Sequence, residues 1–419
     1  MPTATKARPR NVYLDQSVYS QFLNESRCDW RDADSAQVLL EAQRDSHAQV
    51  WASPTHVLET CQTTDLDRRA ELASVILHLI EARRMWHGHE IETVHHFAQF
   101  LKACAPNFVR YPEFLRDRVR TTRRTWLGAL ALIAAAKSLP LEPLVASLRK
   151  VKATSQLLHA RFAVNPRNWV DGMIRTVNEQ LTTRGDPFSE FERLTVEEME
   201  VEIAALEPEF EKLQPRDLAR LNKERADLAH AYGAIEVGRI LDALFTLPCE
   251  IELTFDIPHL VECWPSLQAK TGCKPLSSTI VHADMSSLMG DRTLVRTVLQ
   301  QAIFAVCKVG LIPSTVAFDV ILRDLQKCIN DRRLPTGGLT FDANHAVSLI
   351  WCDIFVTYDQ SLGESAKTMA KLIEAKTNGT RRIDVVTTPE QLRRALARPA
   401  NGALEHEDIS VELGDWGSA

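Results

Sequence analysis

The chain has 419 residues, 45% hydrophobic and 25% charged, an ordinary globular composition with room for two or three domains. A formal charge of -6 excludes a uniformly basic nucleic-acid coat while leaving a local basic patch open. Nine scattered cysteines without CxxC argue for reduced thiols, "MPTATKARPR" lacks a secretory apolar segment and "WLGALALIAAA" is too short for a bilayer, so a cytoplasmic protein without membrane contact is expected.

Val12 to Leu14 reads as a short buried strand, followed by a helix from about Ser17. Asp34 and Ser35 can cap a helix running to about Ala48. "QVWASP" is a second short strand, and Ser53 with Pro54 behind it opens a helix in "SPTHVLETCQ". This order of strand, helix, helix, strand, helix implies a parallel sheet. From about Asp65 to Arg333 apolar residues recur at helical spacing, as in "LASVILHLIEA", "RLTVEEMEVEIAAL" and "LVRTVLQQAIFAVCKVGL". "CEIELTFDI", Cys249 to Ile257, has the character of an edge strand or hairpin arm. After the Pro/Gly break in "NDRRLPTGGLTF" the opening pattern returns. "FDANHAVSLIWC" is helix-like, "DIFVTYD" a short strand, "SLGESAKTMAKLIEAK" an amphipathic helix, and "RIDVVTTPEQLRRALA" a strand, turn and helix. The expected fold is α/β: residues 1–64 and 336–400 form one discontinuous domain with a short-stranded parallel sheet. Residues 65–335 form a large, mainly α-helical insert, and 401–419 an acidic tail.

In open parallel sheets, sites form beyond the carboxyl ends of the strands. Asp15 ends the first strand, Glu59 lies on the helix after the second, Asp342 opens the helix before the third, and Asp359 follows that strand. Four carboxylates gathered at one rim need a cation between them. Mg²⁺ and Mn²⁺, which favour oxygen ligands, are the expected partners.

"VYLDQSVYSQFL", "WASPTHVLETC", "FDANHAVSLIWCDIFVTYDQSL" and "IDVVTTPEQL" together resemble the PIN and PIN-like nuclease domains. The family carries a strand-ending Asp, a helix-borne Glu after "SP", an Asp opening a helix and a strand end of the type hhhThD, where h is apolar. Asp15, Glu59, Asp342 and Asp359 match these one by one. The resemblance covers about the first sixty and last eighty residues. Gln16-Ser17 departs from the family's usual small polar pair, and the long insert departs from its usual connection. The resemblance implies a three-layer PIN-like fold and a metal-dependent endoribonuclease, with DNA as the other substrate to consider. Under it the four acids are ligands, with Glu59 a ligand or a base for water. Ser17 and Thr357 would orient carboxylates, and His345, one turn beyond Asp342, would face the site and contact phosphate. The alternatives are a non-catalytic PIN-like module that binds RNA or protein, and a toxin or defence effector nuclease held by another protein. Protein binding or self-association would use the helical insert.

"RYPEFLRDRVRTTRRTW" supplies a candidate phosphate-binding helix face through Arg116, Arg120, Arg123 and Arg124, with Arg381-Arg382 and Arg393-Arg394 as a second basic cluster. A solvated helix face is the competing explanation of the first. "HGHEIETVHH" does not make a zinc motif, since Thr93 stands where HExxH needs its second histidine. "TGCKPLSS" is not a phosphate loop, because Pro275 follows Lys274.

Overall fold

The structure is a computed structural model. It describes residues 9–25, 29–81, 84–86, 93, 101–104, 112–136, 141–165, 193–214, 256–284, 290–309, 313–377, 379 and 381–398, with only the backbone for 112–119, 292, 293, 296, 304, 307–309, 313–315 and 376. The expected tail, 401–419, lies outside the described residues, as does "CEIELTFDI" up to residue 255. The fold is α/β, with a small four-stranded parallel sheet and many helices. Among the described residues no helix is long and apolar enough to cross a membrane.

The strands are β1 (Arg10–Leu14), β2 (Ala48–Trp51), β3 (Ile354–Val356) and β4 (Asp384–Val386), in the order β2-β1-β3-β4. All three pairings are parallel, with Val12 opposite both Val50 and Ile354. β1 is therefore internal, and Val12, Tyr13 and Leu14 are fully buried, as a strand covered on both faces requires. The helices are α1 (Gln16–Glu25), α2 (Asp34–Arg44), α3 (Pro54–Gln62), α4 (Leu66–Leu79), α5 (Pro112–Ala135), α6 (Glu142–Val164) and α7 (Val196–Phe210). After them come α8 (Ile257–Glu262), α9 (Trp264–Thr271), α10 (Ser278–Val281), α11 (Arg292–Val309), α12 (Pro313–Asn330), α13 (Leu339–Val347), α14 (Gln360–Lys376) and α15 (Pro389–Leu396).

Local chemistry explains several boundaries. Ser53 precedes α3 in extended backbone with Pro54 at the first helical position. The Asp359 side chain accepts from the Leu362 N–H and caps α14; Thr388 caps α15 through the Gln391 N–H. Three expectations need correction. The helix from Asp34 ends at Arg44 rather than near Ala48, because Ser46 turns the chain with a φ of 59° and β2 begins at Ala48. The first strand begins at Arg10 rather than Val12, since distant partners meet its polar start. The Arg10 guanidinium donates to Asp384 Oδ2 at 2.8 Å and to the Ala395 carbonyl, and Asn11 Oδ1 accepts from Trp51 Nε1. Ile257, expected at the end of a strand, instead opens α8.

The chain divides into two compact units: Met1–His87 with Thr122–Leu148 and Asn344–Ala419, and Gly88–Thr121 with Arg149–Ala343. These divide the chain at other points than the expected 64/65 and 335/336. Residues after 64 belong with the sheet because α4 packs on α1 and α3, Met85 bridges Ala52, and Trp86 stacks on Trp351 at 3.9 Å. In the first unit α2 and α15 pack together, and α14 and α15 pack on β4. In the second unit α8 and α9 pack on α11, and Phe162 of α6 meets Phe318 of α12 edge-on.

Gly363 lets the first turns of α14 approach the end of β4. A Cβ there would lie 2.7 Å from Thr387 Cγ2. Thr387 cannot rotate freely, because its backbone N–H and its hydroxyl both donate to Gln391 Oε1. Overpacking outweighs the better helix propensity of alanine, so Gly363→Ala is expected to lose about 1 kcal/mol in a urea titration. A stabilised variant would show that Thr387 moves aside.

Candidate metal centre

Asp15 follows β1 directly, and its backbone N–H donates to the Val356 carbonyl at the end of β3. The same carboxylate oxygen, Oδ2, accepts from the Ser17 hydroxyl at 2.6 Å and from the Thr357 hydroxyl at 2.8 Å. Two donors on one oxygen leave Oδ1 facing the other way, 3.6 Å from His345 Nε2. α3 carries Glu59, whose Oε2 lies 2.7 Å from the same nitrogen. One ligand atom from each of Asp15, Glu59 and His345 lies within 4.8 Å of the other two. Two carboxylates and an imidazole form a donor set that could hold a metal ion. The site is well enclosed: the side chains of His345, Asp15 and Glu59 are 1%, 7% and 22% exposed.

Behind His345 lies a buried polar chain. The Tyr13 hydroxyl is 2.7 Å from His345 Nδ1 and 2.7 Å from Ser53 Oγ. Ser53 Oγ is 3.2 Å from His56 Nδ1, and His56 Nε2 is 2.6 Å from the Leu14 carbonyl. Burial, reinforced by the neighbouring His345, pushes the His56 imidazole down to about 3, so that ring is neutral. Burial likewise raises the Tyr13 and Tyr19 phenols above their ordinary range, with the Asp15 charge adding to both.

Of the four acids singled out in the sequence, the structure brings Asp15 and Glu59 into one group. His345, expected beside the ligands, stands among them. Asp342 and Asp359 are not in that group. Asp342 is half-buried in the first turn of α13, one turn before His345. Asp359 is exposed, with one oxygen used in capping α14, but it is tied to Asp15 through Thr357. The Asp359 N–H donates to the Thr357 hydroxyl oxygen at 3.1 Å, and that hydroxyl donates to Asp15. Ser17 and Thr357 stand where carboxylate-orienting groups were expected, and the Ser17 oxygen also accepts from the Tyr358 N–H.

Among the arginines, Arg120 and Arg124 are exposed on α5, while Arg123 is half-buried with its guanidinium 5.7 Å from the centre of the Trp51 ring. The side chain of Arg116 lies outside the described residues. The basic pair Arg393 and Arg394 is exposed on α15, and Arg393 lies 3.6 Å from Asp34.

Sequence reading missed Tyr13 and His56 as site residues and took Ser53 only as a cap. A signal existed for Tyr13, since a phenol inside an apolar buried strand must find a partner. His56 carried a weaker one, at the third helical position behind a serine cap. No protein-family model, curated protein or solved structure matches the chain.

Proposed function

We propose that the chain is a PIN-like metal-dependent nuclease, an endoribonuclease hydrolysing RNA phosphodiester bonds with Mg²⁺ or Mn²⁺. The observation that carries this reading is the convergence of Asp15, Glu59 and His345 beyond the carboxyl ends of parallel strands. The short distance between His345 Nε2 and Glu59 Oε2 needs a positive centre there, a proton or a cation, to be favourable. Asp15 Oδ1, Glu59 and His345 Nε2 would hold the ion. Bound there, a divalent ion supplies Lewis-acid stabilisation of phosphodiester charge and activation of water.

The remaining residues prepare the site. Ser17 and Thr357 fix the Asp15 carboxylate by hydrogen bonds to Oδ2, so Oδ1 keeps one direction. Asp359, exposed and with its backbone held through Thr357, would be the carboxylate that meets solvent-borne ions or an incoming strand. The segments that resemble PIN-like domains form β1, α3, α13, β3 and β4 with the following helix.

Labelled single-stranded RNA and DNA, each incubated with the protein in Mg²⁺, Mn²⁺ or EDTA, test this reading. Cleavage of RNA is expected with either ion, none in EDTA, and strong loss in Glu59→Gln. A folded wild type that cuts neither substrate, or cleavage that survives EDTA, overturns it.

A further inference from the structure

The two ring nitrogens of His345 face different groups: Nδ1 meets the Tyr13 hydroxyl, and Nε2 meets Glu59 and Asp15. The hydrogen positions along the buried chain follow from its far end. The Leu14 carbonyl can only accept, so His56 Nε2 carries a hydrogen. The Ser53 backbone N–H, 2.9 Å from His56 Nδ1, can only donate, so that nitrogen is bare. A hydrogen bond between the Ser53 hydroxyl and the same bare nitrogen, 3.2 Å apart, has the hydroxyl as donor. Its oxygen then accepts from the Tyr13 hydroxyl. With that hydrogen used, the Tyr13 oxygen accepts from His345 Nδ1–H. Every residue in the relay, Leu14 included, is buried, so water offers no rival partner.

We infer that the relay of His56, Ser53 and Tyr13 holds the ring hydrogen of His345 on Nδ1 and presents Nε2 as a nitrogen ligand, so that the site takes Mn²⁺, Co²⁺ or Zn²⁺ in preference to Mg²⁺. This rests on the metal reading above and narrows it. An imidazole nitrogen suits the later first-row ions, whereas Mg²⁺ favours oxygen and keeps its waters. A ligating histidine whose other N–H is bonded to a fixed acceptor is also the more basic ligand. A further buried polar group is found near Asp15. The Tyr19 hydroxyl is fully buried, has no hydrogen-bond partner among the described residues, and is close enough to feel the Asp15 charge. Tyr13 is thus a positioning residue, acting through His345.

Calorimetric titration of the full chain with Mg²⁺, Mn²⁺, Co²⁺ and Zn²⁺ is expected to find Mg²⁺ the weakest. Tyr13→Phe should weaken Co²⁺ and Zn²⁺ by about 10–100-fold and alter the visible spectrum of bound Co²⁺, while Mg²⁺ affinity holds. Ser53→Ala interrupts the same relay one link further back and serves if Tyr13→Phe does not fold. Long-range proton–nitrogen spectra of the Zn²⁺-loaded wild type, with His345 assigned through His345→Gln, read the hydrogen position without any relay variant. Hydrogen on Nδ1 and a metal-shifted Nε2 support the inference. Mg²⁺ binding as tight as Co²⁺, an equal loss for all ions in Tyr13→Phe, or zinc on Nδ1 overturns it while leaving a metal site. If no ion gives heat or a spectral change in the wild type, the metal reading itself fails.

Discussion

An Asp15→Asn variant is expected to fold normally and to lose metal-dependent cleavage by roughly 10²–10³-fold, about 3–4 kcal/mol of transition-state stabilisation. The orientation of the substituted amide follows from its neighbours. Ser17 and Thr357 both donate toward the Oδ2 position, so the amide oxygen must take that place. The amide nitrogen then occupies the Oδ1 position, directing hydrogens toward His345 Nε2 where a cation would sit. The substitution thus removes a negative charge and adds a donor at the same point. Folding should not suffer, because the backbone bond to Val356 is kept and one of two neighbouring carboxylates is neutralised. In the wild type, an ion at a hundred times its dissociation constant should add about 2.7 kcal/mol of stability, and that increment should vanish in Asp15→Asn. Thermal unfolding with and without Mn²⁺ reads this independently of any substrate. Undiminished cleavage, or an undiminished ion-induced shift, would remove Asp15 from the centre.

What the sequence disclosed and what it hid have different physical origins. Local rules were legible: Pro54 behind Ser53 starts α3, and Asp359 and Thr388 each cap the helix that follows a strand. So was the parallel sheet, because apolar triplets such as Val12 to Leu14 can only be buried on both faces. The polar start of β1 was not legible, since Arg10 and Asn11 are acceptable in a buried strand only through partners more than thirty residues away. The same distance hid the relay. Residues 13, 53, 56 and 345 meet only because β1, α3 and α13 converge, and no spacing in the chain announces it. On α13, helical periodicity placed Asp342 and His345 one turn apart but could not say which would join Asp15 and Glu59. The extent of the units was likewise a tertiary matter. α4 looks like the other helices in sequence, and only its packing on α1 and α3 assigns it to the sheet-bearing unit.

The largest expected loss of stability comes from the end of the sheet opposite the metal centre. Asp384→Ala should destabilise the fold by about 3–5 kcal/mol, because it strands a charge that is already out of water. Arg10 heads β1 and is 4% exposed; Asp384 heads β4 and is 15% exposed, with β3 lying between the two strands. The guanidinium reaches across to Asp384 Oδ2 at 2.8 Å and otherwise meets only carbonyls, from Asp353 and Ala395. Those carbonyls accept hydrogen bonds but carry no compensating charge, so removal of the carboxylate leaves Arg10 unpaired in a low dielectric. Arg398 also lies against Asp384, at 3.2 Å, but it is 55% exposed and its loss costs little. Charge stranding and lost packing can be separated with a second variant. If stranding dominates, Arg10→Met combined with Asp384→Leu should recover most of the loss, since apolar replacement of both partners of a buried pair is often neutral or stabilising. If packing dominates, the double variant should be no better than Asp384→Ala. Urea unfolding distinguishes these outcomes, and a loss below about 1 kcal/mol in Asp384→Ala would mean that Arg10 escapes to solvent. Because the pair ties the starts of the strands while Asp15, Glu59 and His345 gather beyond their ends, the ion-induced stabilisation of the folded variant should match that of the wild type.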